Sequence, residues 1–587
     1  MTAESTLYDA RPWQQAYPGA GIPAALPAPR HRNLAHLVHS ACEKHAARKA
    51  FTTVVPNGMN GTLTYAQVGE MSDAFAAYLR QVCGLQAGDR VAVQLPNGLA
   101  YPVVAFGVFK AGCVLVNTNP LYTPSETIHQ LNDSGAQVLV IVDMFADKLA
   151  EVVPKTGLRR VVLAGVSEMF PAVPNLVVRG VQRVWSKVLP PIPPLAVPVD
   201  RFRQAISQGR ASADAATVRS WWFGLPATDI AALQYTGGTT GVSKGAMLTH
   251  ANMLANIDQV LAMGKSHMGG DECVLTALPL YHIFAFTANL LCFFEIGARN
   301  VLVPSPRPVQ NLQRAIENYP ITWITGVNTL FNGLMNEEWF TAFPPKHLKA
   351  AIAGGTALHH AVAERWQRIT GTRVAEGFGL TECAPVVTFN PMSGVAKPDS
   401  IGIPVPGTDV RLVDDNGVPV PQGEPGELIV RGPQTMLGYW QRPAETDQVL
   451  RDGWLYTGDV AVMDTQGYFR IVDRKKDLVL VSGFNVYPNE VEDALAKMDA
   501  VLEAAVVGIP DGKTGEAVRA YIAKNPDFTG ELTKEAVLAH CRTLLTDYKV
   551  PKSIVFRDEL PKTPVGKILR KDLKAEVKTE FADRPQA

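Results

Sequence analysis

RVAVQL, Arg90–Leu95, is a short β-branched run, and a helical pattern follows it through Tyr101–Lys110. Two more such runs come next, CVLVN at Cys113–Asn117 and QVLVIVD at Gln137–Asp143. Short apolar strands separated by helices imply parallel sheets covered on both faces. Between the second and third runs, Thr123-Pro124-Ser125-Glu126 has the form of a capping box with proline at the first helical position. The alternation reads as an α/β fold.

The chain has 587 residues, too many for one hydrophobic core, so a large multilobed unit plus a smaller domain is expected. Hydrophobic residues make up 47% and charged residues 19%, which allows extensive burial. Lys plus Arg and Asp plus Glu number 55 each, which argues against a nucleic-acid partner held by a global basic field. Seven cysteines are scattered without a C-x-x-C. His39 and His45 flank Cys42 and His540 adjoins Cys541, but neither group has zinc-site spacing. An odd, dispersed set reads as reduced thiols in a cytosolic protein. The first residues, MTAESTLYDARPWQQAYPGAG, lack the apolar core of a signal peptide. The charge-free stretch Cys273–Phe294 has the length of a membrane span, but Pro279, Tyr281, His282 and Asn289 interrupt it. A buried strand–turn–helix is the better reading there.

The clearest boundary lies near Asp473. Gly467–Val472 reads as a strand before it. After it come a helix at Pro488–Met498, strands at Ala504–Ile509 and Ala517–Ala523, and a helix at Lys534–Leu545. That pattern is a compact α+β unit, so the expected domains are 1–472, with mostly parallel sheets, and 473–587, small and mobile. Phe170–Asp200 breaks the rhythm with seven prolines and no clear period, as a surface excursion would. Trp185, Val188 and Leu189 beside Arg179, Arg183 and Lys187 also form a basic and apolar mixture suited to a membrane surface.

The segment YTGGTTGVSKGAMLTH, Tyr235–His250, follows Ile230–Gln234, which reads as a strand entering a turn. Gly237, Gly238, Gly241 and Gly245 let the backbone approach a ligand and turn successive N–H groups into one hollow. Thr236, Thr239, Thr240 and Ser243 add hydroxyl donors, and Lys244 adds positive charge. Such a nest suits polyphosphate. It is not a Walker A loop, because Lys244 stands between Ser243 and Gly245.

This loop resembles the phosphate-binding signature of the acyl-adenylate-forming superfamily, which includes acyl-CoA synthetases, luciferases and peptide-synthetase adenylation domains. The resemblance runs from about Leu34 to Leu573, with further motifs in the family's order. EGFGLTECAP, Glu376–Pro385, resembles its aromatic-Gly-x-Thr-Glu motif. That implies a nucleotide against Gly377, Phe378 and Gly379, with Phe378 stacked on adenine. It also implies Thr381 at the α-phosphate and Mg²⁺ held by Glu382 with Thr236. Phe378 replaces a tyrosine common there, so stacking survives and any hydroxyl contact does not. DGWLYTGDVAVMDTQGYFRIVDRKK, Asp452–Lys476, resembles the signature segment of fatty acyl-CoA synthetases. By that resemblance Asp459 accepts both ribose hydroxyls, Arg474 donates to the ribose, and Asp473 is the hinge. PKTPVGKILRK, Pro561–Lys571, resembles the catalytic-lysine loop and puts Lys567 in that role. VSGFNVYP, Val481–Pro488, puts Gly483 where pantetheine passes the backbone; otherwise it is a turn or bulge glycine.

ALPLYHIFAF, Ala277–Phe286, resembles the segment beside the family's acyl pocket. His282 stays open between orienting the substrate carboxylate and filling core space. Phe286 sits where related enzymes carry an aromatic gate. Gly326 and Val327 in WITGVNTLF and Gly354 in AGGT are candidate walls, though core packing predicts the same composition. The implied reaction joins a long-chain fatty acid to coenzyme A through acyl-AMP, using ATP and Mg²⁺. Lys567, Thr236, Glu382 and His282 serve the first step, and the small domain then turns about Asp473. Lysine suits that step because an ammonium can bridge the attacking carboxylate and the α-phosphate. A short-chain, medium-chain or aryl acid, delivery to a carrier protein, and a membrane-associated fatty-acid trap stand as rivals. The expected location is cytoplasmic, with peripheral contact at the inner face of the membrane and a homodimer left open.

Overall fold

In the computed structural model, which describes residues 7–186, 188–236, 243–264, 267–269, 271–356, 358–563 and 566–582, the strand Arg90–Gln94 is the middle of a seven-stranded sheet. Val138–Val142 and Val114–Asn117 flank it in parallel. Arg160–Ala164 and Val199–Arg201 extend one side and Ile230–Thr236 the other, all parallel, before Lys244–Thr249 closes the edge antiparallel. The helix Ala100–Lys110 is buried along all of its 11 residues, which explains its hydrophobic perimeter. Lys110 survives there because its Nζ reaches Asp73 at 2.7 Å and the Gly69 carbonyl at 3.1 Å. Both halves of the Thr123–Glu126 capping box are formed.

A nine-stranded sheet has a parallel centre, Arg299–Leu302, Cys273–Thr276, Trp323–Gly326, Ala350–Ala353 and Val374–Gly379, with antiparallel pairs at its ends. Cys273–Phe294 is the expected buried strand, turn and helical run. Among the described residues no helix is long and apolar enough to cross a membrane. A third, antiparallel sheet joins Asp409–Val413, Gly426–Arg431, Trp454–Met463, Leu450–Arg451 and Phe469–Arg474.

Beyond it the chain enters a separate sheet of Phe484–Val486, Val479–Val481, Gly515–Lys524, Val501–Asp511 and Ser553–Arg557. Helices Pro488–Leu495, Lys534–Leu544 and Arg570–Phe581 cover it. Alternate residues of its strands feed two cores: Val506 joins Val491 and Val537, whereas Ala505 and Val507 join Leu573 and Val577.

The proline-rich excursion contains a helix, Ala172–Gly180, carried on as a wider turn through Val181–Trp185. Pro171 precedes the helix and Pro174 lies in its first turn, where backbone N–H groups have no intrahelical acceptor. Val173, Leu176 and Val184 point outward at 72%, 74% and 73% exposure, so this helix turns apolar residues to solvent.

Candidate active site

The strands Ile230–Thr236 and Lys244–Thr249 form a hairpin whose register sets Thr236 opposite Lys244. Asp133 braces its loop end. Its carboxylate accepts from the Tyr235 hydroxyl at 2.7 Å and from Arg442 at 3.0 Å, and its carbonyl accepts from the Trp440 indole at 3.1 Å. Gly237, Gly238, Thr239, Thr240 and Gly241 lie outside the described residues.

Leu437–Trp440 runs along the free edge of Lys244–Thr249, donating at Leu437 to Met247 and at Trp440 to Gly245. This places Tyr439, which sequence reasoning missed, between two candidate residues. Its hydroxyl donates to Glu382 Oε1 at 2.6 Å, and the Lys244 ammonium lies 5.0 Å from its ring centroid. Thr381 and Glu382 stand on a 3₁₀ turn, Thr381–Cys383, that packs against both hairpin strands. Phe378 and Gly379 end the adjoining strand, half-buried. Thr236 and Glu382 offer hard oxygen donors, and among the described residues no cluster of three or more His, Cys, Asp or Glu forms a cage. That donor set fits Mg²⁺, which is held by one or two carboxylates together with substrate phosphates.

Asp459 and Arg474 face each other across the antiparallel pair Trp454–Met463 and Phe469–Arg474, and the guanidinium Nε donates to Asp459 Oδ1 at 3.1 Å. Burial raises the Asp459 pKa, opposed by Arg474 and Lys567. A hollow of about 270 Å³ opens beside them, lined by Thr457, Gly458, Arg474, Lys475 and Lys476. Asp473 is fully buried one residue before Arg474. Its two oxygens accept from the Arg474 and Asn489 backbone N–H groups at 2.7 and 2.8 Å. The Asp473 carboxylate thus supplies the first turn of Pro488–Leu495 with an acceptor that Tyr487 does not. Burial pushes its pKa up to about 6, against the pull of Arg570 and the two N–H groups.

Lys567 closes the site from the small domain. Its turn is tied by Gly566 N–H to the Thr563 carbonyl at 2.8 Å and by Lys567 N–H to Thr563 Oγ1 at 3.0 Å. Gly566 has φ +91°, and a Cβ there would lie 2.7 Å from Thr329 Oγ1, 2.8 Å from Arg307 Nη2 and 3.3 Å from Val327 Cγ2 of the large domain. The Lys567 ammonium is pushed down to about 8 by burial, then by Arg474, with Asp459 pulling the other way. Burial and then the Lys567 charge bring His282 down to about 4. His282 Nδ1 accepts from Phe284 N–H at 3.3 Å, so the neutral ring carries its proton on Nε2. Lys567, His282, Asp459 and Arg474 therefore share one electrostatic neighbourhood.

The remaining candidates divide. Val327 underlies the lysine turn, and a Cβ on Gly354 would lie 3.2 Å from the Gly377 carbonyl and 3.3 Å from the Phe284 ring. Gly326 backs onto Leu330 and Phe331. Phe286 is fully buried, edge-on to Tyr101 and Phe109. Gly483 is not brought to the cluster: it sits at the solvent-facing tip of the hairpin Val479–Val486, with φ +84° beside Ser482 at +53°. Two successive positive φ angles make it a turn glycine in this pose.

Residues 38–440 match the AMP-binding enzyme family and residues 490–567 match the AMP-binding enzyme C-terminal domain. A long-chain-fatty-acid–CoA ligase of Yersinia pestis is 49% identical, the match covering 96% of this chain and 98% of that one. One of Escherichia coli O6:H1 is 48% identical over the same shares. Among solved structures, an anthranilate CoA ligase in complex with anthranoyl-AMP superposes with a TM-score of 0.81 at 25% identity, over 96% of this chain and 99% of that one. ATP-bound MatB from Rhodopseudomonas palustris reaches 0.77 at 28% identity, over 94% and 100%, whereas its apo form reaches 0.70 at 27% over the same shares. With both family matches in order along one chain and relatives spanning nearly all of it, this protein belongs to the AMP-binding enzyme family.

Proposed function

We propose that this chain joins a long-chain fatty acid to coenzyme A through acyl-AMP, releasing AMP and pyrophosphate. The observation that carries this reading is the seating of the Gly566–Lys567 turn against Val327 and Thr329, which brings Lys567 into the electrostatic neighbourhood of Asp459, Arg474 and His282. The substrate class rests on the relatives of nearly half identity, and the pose on the closer likeness to ATP-bound than to apo MatB.

In the first step a fatty-acid carboxylate oxygen attacks the α-phosphorus of ATP, and the bond to the pyrophosphate oxygen breaks. Thr236, Ser243 and Lys244 take the phosphates, with Gly237–Gly241 completing the cradle. Phe378, Gly377 and Gly379 hold adenine, and Asp459 with Arg474 holds the ribose. Thr381 contacts the α-phosphate. Glu382 and Thr236 would hold Mg²⁺, which neutralises charge as pyrophosphate departs. Lys567 spans carboxylate and phosphate, and a pKa near 8 keeps it charged at neutral pH. His282 stays neutral and offers Nε2–H to the carboxylate. Phe286, Gly326, Val327 and Gly354 border the acyl chain.

For the second step the small domain beyond the strand Phe469–Arg474 turns about Asp473 while that strand keeps its pairing, taking Lys567 out and bringing Gly483 to the site. The CoA thiolate then attacks the acyl carbonyl and AMP leaves. A panel of acids from acetate to oleate, assayed for CoA-dependent thioester, tests the whole reading. Turnover confined to short or aryl acids would overturn the substrate class, and binding of fatty acid without pyrophosphate release would overturn the reaction.

Peripheral membrane contact belongs to the same reading. The apolar helix Ala172–Gly180 follows Arg160–Ala164, and the phosphate loop follows Ile230–Thr236. These strands are parallel members of one sheet, so both segments leave its carboxy-terminal edge. Between Gly165 and Arg203 the sequence carries Arg179, Arg183, Lys187, Arg201 and Arg203 against only Glu168 and Asp200. A basic segment with outward Val173, Leu176 and Val184 suits an anionic bilayer, where a long-chain acid also resides. Replacing those three residues by serine should weaken co-sedimentation with anionic vesicles; unchanged co-sedimentation removes the proposal.

A further inference from the structure

We propose that His359 and Asp493 are positioning residues that hold the lysine turn in its adenylating seat and part when the small domain turns. His359 Nδ1 lies 3.0 Å from Asp493 Oδ1, one residue on each domain. The large domain fixes the histidine through its backbone: its N–H donates to Asn328 Oδ1 at 3.1 Å, and the preceding Leu358 N–H donates to Glu376 Oε1 at 3.1 Å. Asn328 lies between Val327 and Thr329, the residues that meet Gly566. The seat of the lysine turn and the partner of Asp493 are therefore parts of one braced surface.

The small domain carries the contact onward. Asp493 stands on Pro488–Leu495, and its neighbour Glu492 receives Arg570 at 2.5 and 3.1 Å. Arg570 is three residues beyond Lys567, and Glu492 also accepts from Val506 N–H at 2.7 Å, tying the helix to the sheet. Displacing Asp493 thus moves the segment that presents Lys567. On the reading that Asp473 is the hinge, the rotation that withdraws Lys567 carries Asp493 from His359 as well, so the pair favours only the first step.

The contact is charge-dependent. Burial would lower the His359 pKa, but Asp493, with Glu492 and Glu503 behind it, outweighs burial and the net shift is upward. Arg570 answers Glu492, and Lys562 lies 2.7 Å from Glu503. On the large-domain side Glu376, pushed up to about 8 by burial, stands behind Leu358, and Asp399 pairs with His360 at 3.2 Å. Because the folded pKa lies above 6.5, the ion pair is full below that value and is lost as pH rises through the raised one.

The test uses the full chain with one fluorescent label on each domain. His359→Gln and Asp493→Asn should each shift the inter-label distances away from the closed pose. Each should also slow fatty-acid-dependent pyrophosphate exchange about two- to five-fold, the range of a partly exposed ion pair. Thioester formation from supplied acyl-AMP should hold or rise. The exchange His359→Asp with Asp493→His should restore both readouts, which a folding defect would not allow. The ratio of wild-type to His359→Gln exchange rates should fall toward one as pH rises through the histidine's raised pKa. Unchanged distances, a flat ratio, or equal loss in both half-reactions overturns the proposal. Shifted distances with pyrophosphate exchange untouched leave the domain contact standing and overturn instead the assignment of Lys567 to the first step.

Discussion

Asp459 and Lys567 come into one electrostatic neighbourhood by different means. Asp459 is opposite Arg474 in an antiparallel pair, so strand register alone brings the two together. Lys567 arrives from another domain, on a turn seated against Val327 and Thr329 and held by polar contacts such as His359–Asp493. Register cannot slip without turning every side chain of the strand to the other face. A docked turn can leave intact. The contrast separates what both chemical steps need in place from what the second step needs gone.

Removing the docked group should give the largest effect. Lys567→Ala should slow fatty-acid-dependent pyrophosphate exchange about 10²- to 10³-fold, the loss typical of a charge-stabilising donor. Thioester formation from supplied acyl-AMP should be spared, and equal loss in both would erase the distinction between the two regions. The same lysine sets a pH limb. Its ammonium is the active form and its pKa is near 8, so exchange should fall as pH rises through about 8. Lys567→Arg, slower overall, should lose that limb because guanidinium stays charged. Next in size, Asp459→Asn should raise the KM for ATP about 10- to 100-fold, the scale of a charge-assisted hydrogen bond lost beside an unpaired Arg474. Because Asp459 is fixed, this variant should also weaken retention of acyl-AMP in the second step. An effect confined to the first step would argue that the ribose end moves too.

What could be read from the sequence follows the same line. Thr123–Glu126, the apolar strand runs and the motif holding Asp459, Asp473 and Arg474 are local patterns, and local patterns survive in one dimension. Tyr439 was invisible because its meaning lies in Glu382, 57 residues earlier, and in an edge pairing outside any named strand. The Asp473 carboxylate capping Pro488–Leu495 leaves no signal, since its acceptor role belongs to a helix that starts 15 residues later. His359 and Asp493 are 134 residues apart on different domains. The helix Ala172–Gly180 was missed for another reason: prolines at a helix start read as breakers when their position is unknown.

A smaller effect probes the seat. Gly566→Ala places a Cβ 2.7 Å from Thr329 Oγ1 at a φ of +91°, so the lysine turn must lift or strain. Pyrophosphate exchange should fall about ten-fold, with thioester formation from acyl-AMP unchanged. Adding Thr329→Ala should recover part of the loss by relieving that contact while leaving the one to Arg307 Nη2 at 2.8 Å and the backbone cost. No recovery would place the effect in the turn's own backbone and in Arg307, whose Nη2 lies 2.8 Å from the same Cβ, and not in the Thr329 contact.

The smallest expected effect belongs to the fixed half, and it tests whether fixed means independent of the domain's position. Tyr439→Phe keeps the ring over which Lys244 lies and removes only the hydroxyl that donates to Glu382 Oε1 at 2.6 Å. The carboxylate is then less well oriented but no less charged. The Mg²⁺ concentration for half-maximal exchange should therefore rise about five-fold, near the net value of one hydrogen bond. Tyr439→Leu, which also removes the ring, should cost more and weaken ATP binding through Lys244. Thioester formation from supplied acyl-AMP involves no departing pyrophosphate, so neither variant should change it. A loss there would mean that Tyr439 acts on the domain rotation as well as on Glu382, and the boundary between woven and docked parts would have to be redrawn through the Leu437–Trp440 edge.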